Sequence, residues 1–189
     1  MSGFPARWSL CGGWAVDAWL GRQTRDHGDV DVSVFADDQR ALFEHLTGWK
    51  LIAHDSSVPD DTTDLWDGRH LPHPAHIHAS LDPDAFKLEI IIDERSGNEW
   101  VMRREPRVEL PLEESAGVSA WGLLTAAPEV ILFYKATAYW GEEGLWKRPQ
   151  VDADFAELLP ILSHAQREWL REAVALVLPE HPWLPQLTN

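Results

Sequence analysis

Two aspartates, Asp29 and Asp31, flank a valine in the run Asp29-Val30-Asp31-Val32-Ser33-Val34-Phe35. Alternation of polar and β-branched residues predicts a half-buried strand from Asp29 to Phe35. Side chains alternate faces along a strand, so both carboxylates point one way while Val30 and Val32 point into a core. Two carboxylates held ~6–7 Å apart on one face repel each other unless positive charge sits between them. A pair of Mg²⁺ ions supplies that charge, because Mg²⁺ takes oxygen ligands from one or two carboxylates plus substrate phosphates. Glu89 is a third acid, set in the apolar run Leu88-Glu89-Ile90, where an unpaired charge would be costly. A metal shared with Asp29 and Asp31 would satisfy it. So would a salt bridge, and an Asp-x-Asp by itself equally describes the wet side of an edge strand.

The elements that must position these acids can be read along the chain. Trp8 to Cys11 is a short apolar segment that runs into Gly12-Gly13 and then a helical stretch, Trp14 to Leu20, which Gly21 can end. Backbone N–H groups where Gly12 and Gly13 open that helix can cradle phosphate, although a Gly pair there is also an ordinary tight turn. Ala36 to Thr47 reads as a helix capped by Asp37 or Asp38. Trp49 to Ala53 reads as a strand, and Asp55 to Pro74 as a long polar loop. His76 to Leu81 and Phe86 to Asp93 are strands joined through Asp82-Pro83-Asp84-Ala85 as a hairpin. Trp100 to Arg103 is a further strand, followed by a loop rich in Glu and Pro. Helices are expected over Pro128 to Trp140, Val151 to Leu162 and Ala165 to Leu178. The fold class is therefore α/β (α+β): a small mixed sheet with helices over residues 1–125, followed by a C-terminal helical lobe over 126–189.

Taken in order, an apolar segment, Gly-Gly, a helix, Asp-x-Asp on a strand and a third acid on another strand resemble the nucleotidyltransferase superfamily that includes DNA polymerase beta. The resemblance is closest to its aminoglycoside 2″-adenylyltransferase-like and lincosamide nucleotidyltransferase-like branch. It is carried by Gly12-Gly13-Trp14-Ala15-Val16-Asp17, Leu20-Gly21-Arg22, Thr24-Arg25-Asp26-His27 and Asp29-Val30-Asp31. Leu88-Glu89 to Asp93, Trp100-Val101, Pro128-Glu129, Leu132-Phe133-Tyr134-Lys135, Arg148-Pro149 and Asp154-Phe155 extend it over residues 8 to 162. The chain departs from the pattern twice. The third acid is Glu89 where the group commonly has Asp, and Gln150-Val151 follows Arg148-Pro149 where Lys-Asp is usual, leaving Asp152 as a substitute helix cap.

The resemblance implies a metal-dependent transfer of a nucleoside monophosphate, AMP from ATP, to a hydroxyl of a small molecule, releasing pyrophosphate. The acceptor class it implies is an aminoglycoside or lincosamide antibiotic. Asp29 and Asp31 would bind two Mg²⁺ ions, with Glu89 completing the site and taking the hydroxyl proton. Gly12, Gly13, Arg25 and Lys135 would contact the nucleotide. Arg25 could instead pair with Asp26 or Asp29, Lys135 could snorkel to solvent, and His27 is read as a positional hydrogen bonder. Competing readings are a protein-modifying nucleotidyltransferase and a non-catalytic or antitoxin-like nucleotide-binding subunit; the presence of all three acids weighs against the latter.

His70, His73, His76 and His78 suggest a transition-metal site, because imidazole suits Zn²⁺. Pro72 and Pro74 interrupt the run, though, and helical i, i+4 spacing is absent. His76 and His78 share one strand face and are read as a wall of the acceptor pocket. Trp66, Trp100, Trp140 and Trp146 are read as packing, and Asp60, Asp61, Asp64 and Asp67 as a solvated acidic loop.

Composition narrows the partners. The 189 residues carry 16 Lys+Arg against 31 Asp+Glu, a formal charge of −15. Such a surface repels phosphate backbones and excludes nucleic acid as the expected partner; it would attract a small polycation, and it also serves solubility. The single cysteine, Cys11, rules out an intrachain disulfide and favours a reducing compartment. No window reaches the ~20 apolar residues of a membrane helix, and no signal-like start is present, so a cytoplasmic location is expected.

Overall fold

In the computed structural model, residues 1–55, 64–72, 74–82, 87–138 and 147–188 are described. The chain opens with β1 (Trp8–Cys11), α1 (Gly12–Leu20) and β2 (Asp29–Phe35), then a 3₁₀ turn (Ala36–Asp38) into α2 (Gln39–His45). Next come β3 (Lys50–Asp55), β4 (Asp64–Leu65), β5 (Ala75–Ser80), β6 (Lys87–Ser96) and β7 (Glu99–Val101). Three short strands follow: β8 (Glu109–Pro111), β9 (Ala116–Val118) and β10 (Leu124–Ala126). The end is helical, with α3 (Pro128–Ala138), α4 (Arg148–Leu158) and α5 (His164–Val177).

The strands form a mixed sheet in the order β4-β3-β5-β6-β2-β1-β10-β9, and β7 and β8 extend from the far end of β6. The β2–β6 and β1–β10 pairs run parallel and the remaining pairs antiparallel. Residue parity sorts the sheet into two faces. Val32 and Val34 of β2, with Leu88, Ile90 and Ile92 of β6, join Leu42 of α2 and Leu46 just after it in one buried cluster. Phe35 of β2 and Ile91 of β6 point the other way, into a core shared with α1, α3, α4 and α5. The residues between those apolar positions on the second face are the chemical ones.

Local signals account for most boundaries. Gly21 takes a left-handed φ of 69° at the end of α1, a conformation that costs other residues the Cβ–carbonyl clash. Ser163 and Gln166 form a reciprocal capping box at the start of α5. Two expected caps are absent. Asp38 precedes α2 without a side-chain cap bond. Asp152 cannot cap α4, because that helix already begins at Arg148; it instead accepts from Trp183 Nε1 at 2.9 Å and pairs with Arg148 at 3.3 Å. Val151, where the family pattern has Asp, is buried in the core.

The Glu- and Pro-rich stretch after Arg103, which reads as loop, in fact contains β8, β9 and β10. Three residues per strand leave too little periodicity to see, and β10 exists because Thr125 finds Leu10 of β1 beside it. The polar stretch 55–74 likewise holds the two-residue β4, paired with β3. The tight connection expected through residues 82–85 lies mostly outside the described residues, but β5 and β6 do pair antiparallel. Among the described residues no helix is long and apolar enough to cross a membrane.

Candidate active site

Strand register brings the three acids together. In the parallel β2–β6 pair, Asp29 lies opposite Lys87 and Asp31 opposite Glu89. Side chains at paired positions share a face, so Asp29, Asp31 and Glu89 project side by side. One carboxylate oxygen from each lies within 4.8 Å of the others. They open into a cavity of about 1090 Å³ between the sheet and the C-terminal helices, large enough for a nucleotide and a second small molecule.

The electrostatics match the crowding. Burial, then the neighbouring charges of Glu89 and Asp29, push the Asp31 carboxyl up to about 6. Burial and then Asp29 raise Glu89 as well. Among the described residues no Lys or Arg lies within ion-pair distance of any of the three; the salt-bridge reading of Glu89 finds only His78, at 3.8 Å. A cluster of oxygen donors whose charged form is disfavoured by its own neighbours fits a hard divalent cation.

The glycines serve this cluster directly. Gly12 has a φ of 65°, and a Cβ there would collide with the Asp31 carboxylate. The Gly13 backbone N–H donates to Asp31, and a Cβ on Gly13 would strike the His27 ring. Both glycines line the cavity. Their small size is thus accounted for by the close approach of Asp31 and His27, a reason distinct from the phosphate cradle and the tight turn that the sequence suggests.

His27 is held as a positional group. Its Nε2 lies 2.6 Å from Asp17 Oδ2, and Asp17, fully buried on α1, also accepts from the Thr24 backbone N–H at 3.0 Å and the Thr24 hydroxyl at 2.5 Å. Asp17 therefore ties the 24–27 segment to α1 and sets the entry of β2. Arg22 pairs with Glu157 at 2.5 Å on the surface.

The opposite wall is cationic and is organised by Asp154 of α4. Arg25 donates to both its oxygens, Nε at 3.3 Å and Nη2 at 3.0 Å, and Lys135 Nζ of α3 lies 2.6 Å from Oδ2. Burial raises the Asp154 carboxyl, but the hydrogen bonds and charges of Arg25 and Lys135 outweigh it and hold the group below the usual range. Lys135 is buried and lines the cavity and does not snorkel to solvent; the ion-pair partner of Arg25 is Asp154, while its Nη1 also donates to the Asp26 backbone carbonyl at 3.3 Å. Lys147, at the start of α4, also lines the cavity. Sequence reasoning assigns no role to Asp154 or Lys147; the Arg148-Pro149 and Asp154-Phe155 motifs mark their helix, but only the helix packing shows them facing Arg25 and Lys135.

Asp93, farther along β6, is buried and accepts hydrogen bonds from the Ser33 and Tyr134 hydroxyls. Burial raises its carboxyl despite those bonds. It fastens α3 to the acid-bearing strands. Cys11 is buried beside Asp31 and its thiol is pushed up by burial and then by Asp31, which makes it a poor nucleophile.

The histidines divide. His76 and His78 line the cavity on β5. His70 stands apart, its Nδ1 3.3 Å from the Gln39 side chain, and His73 lies outside the described residues. His54 of β3 joins His76 and His78. Trp66 and Trp100 are buried packing residues, while Trp140 and Trp146 lie outside the described residues. Of the loop acids, Asp64 and Asp67 both pair with Arg69; Asp60 and Asp61 also fall outside.

Residues 1–59 match the family model of aminoglycoside-2″-adenylyltransferase. No curated protein matches in sequence. Among solved structures, the chain is similar to ANT(2″)-Ia in complex with adenylyl-2″-tobramycin, at 17% identity and a TM-score of 0.56, over 90% of this chain and 88% of that one. It is also similar to the lincosamide antibiotic adenylyltransferase LnuA in its lincomycin-bound form, at 18% identity and a TM-score of 0.52, over 82% of this chain and 87% of that one. The three acids thus come into register on a fold similar to that of these two enzymes, and the aminoglycoside-2″-adenylyltransferase signature is matched by the first 59 residues.

Proposed function

We propose that the chain transfers AMP from ATP to a hydroxyl of a small, polyhydroxylated and cationic molecule of the aminoglycoside or lincosamide class. The observation that carries this reading is the convergence of Asp29, Asp31 and Glu89 on the cavity face, opposite a wall that carries Arg25, Lys135 and Lys147. Asp29 and Asp31 would hold divalent ions, Mg²⁺ by their oxygen-only donor set. Such ions, when bound, supply charge neutralisation and Lewis acidity to the triphosphate oxygens.

The residues of the chain do the rest. Lys135 and Arg25 share one carboxylate, so their two positive charges are only half neutralised and the excess faces the triphosphate. Glu89 accepts the proton of the acceptor hydroxyl, whose oxygen bonds to the α-phosphorus as the bond to pyrophosphate breaks. Gly12 and Gly13 hold the Asp31 carboxylate in place and leave room for phosphate. His76 and His78 flank Glu89 on the neighbouring strand, where the acceptor must approach. The acidic surface draws in a cationic acceptor, and a cytoplasmic site of action supplies ATP.

The test is ATP labelled at the α-phosphate, incubated with Mg²⁺ and a panel of aminoglycosides and lincosamides. Label should pass to at least one acceptor, and Asp29→Asn should abolish the transfer. Label found only on protein side chains, or slow release of AMP with no acceptor labelled, would overturn the acceptor class.

A further inference from the structure

A second cluster on the sheet adjoins the acid triad and shares His76 and His78 with the cavity wall. His54 of β3 sits directly across from His76 of β5 in the antiparallel register, and His78 is two residues along on the same face. Each histidine offers one ring nitrogen, and the three nitrogens lie within 4.8 Å of one another. The rings of His54 and His76 stack at 4.7 Å, and those of His54 and His78 approach to 4.4 Å. His78 is the link to the acids: it pairs with Glu89 across β5 and β6, with its Nε2 3.8 Å from a Glu89 oxygen.

The geometry points to a transition-metal site of the Zn²⁺ class at His54, His76 and His78, distinct from the carboxylate site and adjoining it. Three neutral imidazoles are the donor set of an open tetrahedral Zn²⁺ centre, with the fourth position left for water or a substrate atom. Mg²⁺ and Ca²⁺ prefer oxygen donors and do not compete for it. A tetrahedral ion with Zn–N bonds of ~2.0–2.1 Å needs nitrogens ~3.4 Å apart. With the nitrogens already within 4.8 Å, binding would draw them together by at most about 1.4 Å. The Cα positions are already set by the sheet register, so the ordering cost is confined to three side chains.

The surroundings favour a cation. The chain carries a formal charge of −15, and the Glu89 carboxylate lies 3.8 Å from His78. His76 and His78 line the cavity, so the open position faces the space where an acceptor would enter. A hydroxyl or amino group of that acceptor is the kind of Lewis base such a position takes. The sequence run His70 to His78 hides this arrangement, because the third ligand comes from His54 on another strand.

The experiment uses Co²⁺ as a spectroscopic stand-in for Zn²⁺, added to the whole protein in saturating Mg²⁺ so that the carboxylate site is filled. About one equivalent of Co²⁺ should bind and show the intense visible absorption of four-coordinate Co²⁺, and Zn²⁺ should displace it. His54→Gln and His76→Gln should each weaken uptake by about tenfold or more, the scale on which a lost ligand outweighs the loss of an outer partner. Asp31→Asn should leave it intact. If the histidine variants do not fold, protection of the wild-type histidines from diethyl pyrocarbonate by Zn²⁺ decides the matter, with His54, His76 and His78 protected and His70 not. No uptake in Mg²⁺, uptake lost with Asp31→Asn, or uptake unchanged in the histidine variants would each overturn the site. None of these readouts depends on nucleotidyl transfer, so the proposed activity stands or falls separately.

Discussion

The two walls of the cavity use the same residue type to opposite ends. On the sheet, Asp31 is pressed against Glu89 and Asp29, with no Lys or Arg within ion-pair distance among the described residues, and its carboxyl is raised to about 6. On the helices, Asp154 is shared between Arg25 and Lys135 and its carboxyl is lowered. Burial acts on both in the same direction, so the difference comes from the neighbours. The sheet wall concentrates negative charge, which under the proposed function a divalent ion would neutralise. The carboxylate of the helical wall is satisfied internally by two cations and joins α3, α4 and the 24–27 segment. A variant of the first should therefore cost function, and a variant of the second stability.

The largest expected effect breaks the sheet wall. Asp31→Asn should lower nucleotidyl transfer by about 10³-fold or more, because metal ligation and charge stabilisation are lost together. In the absence of divalent ions the same variant should unfold at higher urea concentration than the wild type. Wild-type turnover surviving in Asp31→Asn would mean that the acid cluster is not the reaction centre.

Breaking the helical wall should act the other way. Asp154→Asn leaves the buried Lys135 ammonium without its counter-charge, and urea unfolding should show a loss of about 3 kcal/mol. Replacing the pair together, Asp154→Asn with Lys135→Met, should recover part of that stability while leaving turnover impaired. If the single variant is as stable as the wild type, Asp154 is not what holds α3, α4 and the 24–27 segment together.

The two walls should also answer pH with opposite slopes. For Asp31 the folded carboxyl lies above its ordinary 3.8, so the folded state binds the proton more tightly. Its favourable contribution is full below pH 3.8 and is lost as pH rises through about 6. For Asp154 the folded value is depressed, so its contribution is present above pH 3.8 and lost as pH falls through the lower folded value. In metal-free protein, the stability difference between wild type and Asp31→Asn should grow between pH 4 and 6 to about 1–3 kcal/mol in favour of the variant. Saturating Mg²⁺ should reverse that difference. A flat difference across this range would remove the electrostatic account of the acid cluster.

A smaller effect tests whether the raised carboxyl of Asp31 is peculiar to the site. Glu129 of α3 is buried away from both walls, accepts from Gln166 Nε2 at 2.7 Å, and is raised to about 7, chiefly by burial. Its contribution is likewise full below pH 4.5 and lost as pH rises through about 7. Glu129→Gln keeps an acceptor for Gln166 and should stabilise the protein by about 1 kcal/mol above pH 7, with no gain from Mg²⁺. A Mg²⁺-dependent gain there would show that ion binding is not confined to the acid triad.

Much of this site is legible in the sequence. Asp29 and Asp31 announce themselves because period two on a strand puts both carboxylates on one face. Glu89 does so because a lone acid in an apolar strand demands a partner. The helices α3, α4 and α5 are visible from long apolar periodicity, with errors of a few residues at their ends. The short strands β8 to β10 are not visible, since three residues carry no measurable pattern, and neither is the role of Gly12, which depends on how closely Asp31 approaches it.

Sequence alone determined which side chains could do chemistry and on which face of its own element each lies, because both follow from local covalent geometry. Tertiary structure decided which of those faces meet. Parallel pairing of β2 with β6 set Asp31 beside Glu89, helix packing set Asp154 between Arg25 and Lys135, and the β3–β5 register set His54 against His76. Each of these joins residues separated along the chain by an amount that no local pattern encodes. Their register is chosen by burial of the apolar residues around them, a property of the whole folded core rather than of any one segment.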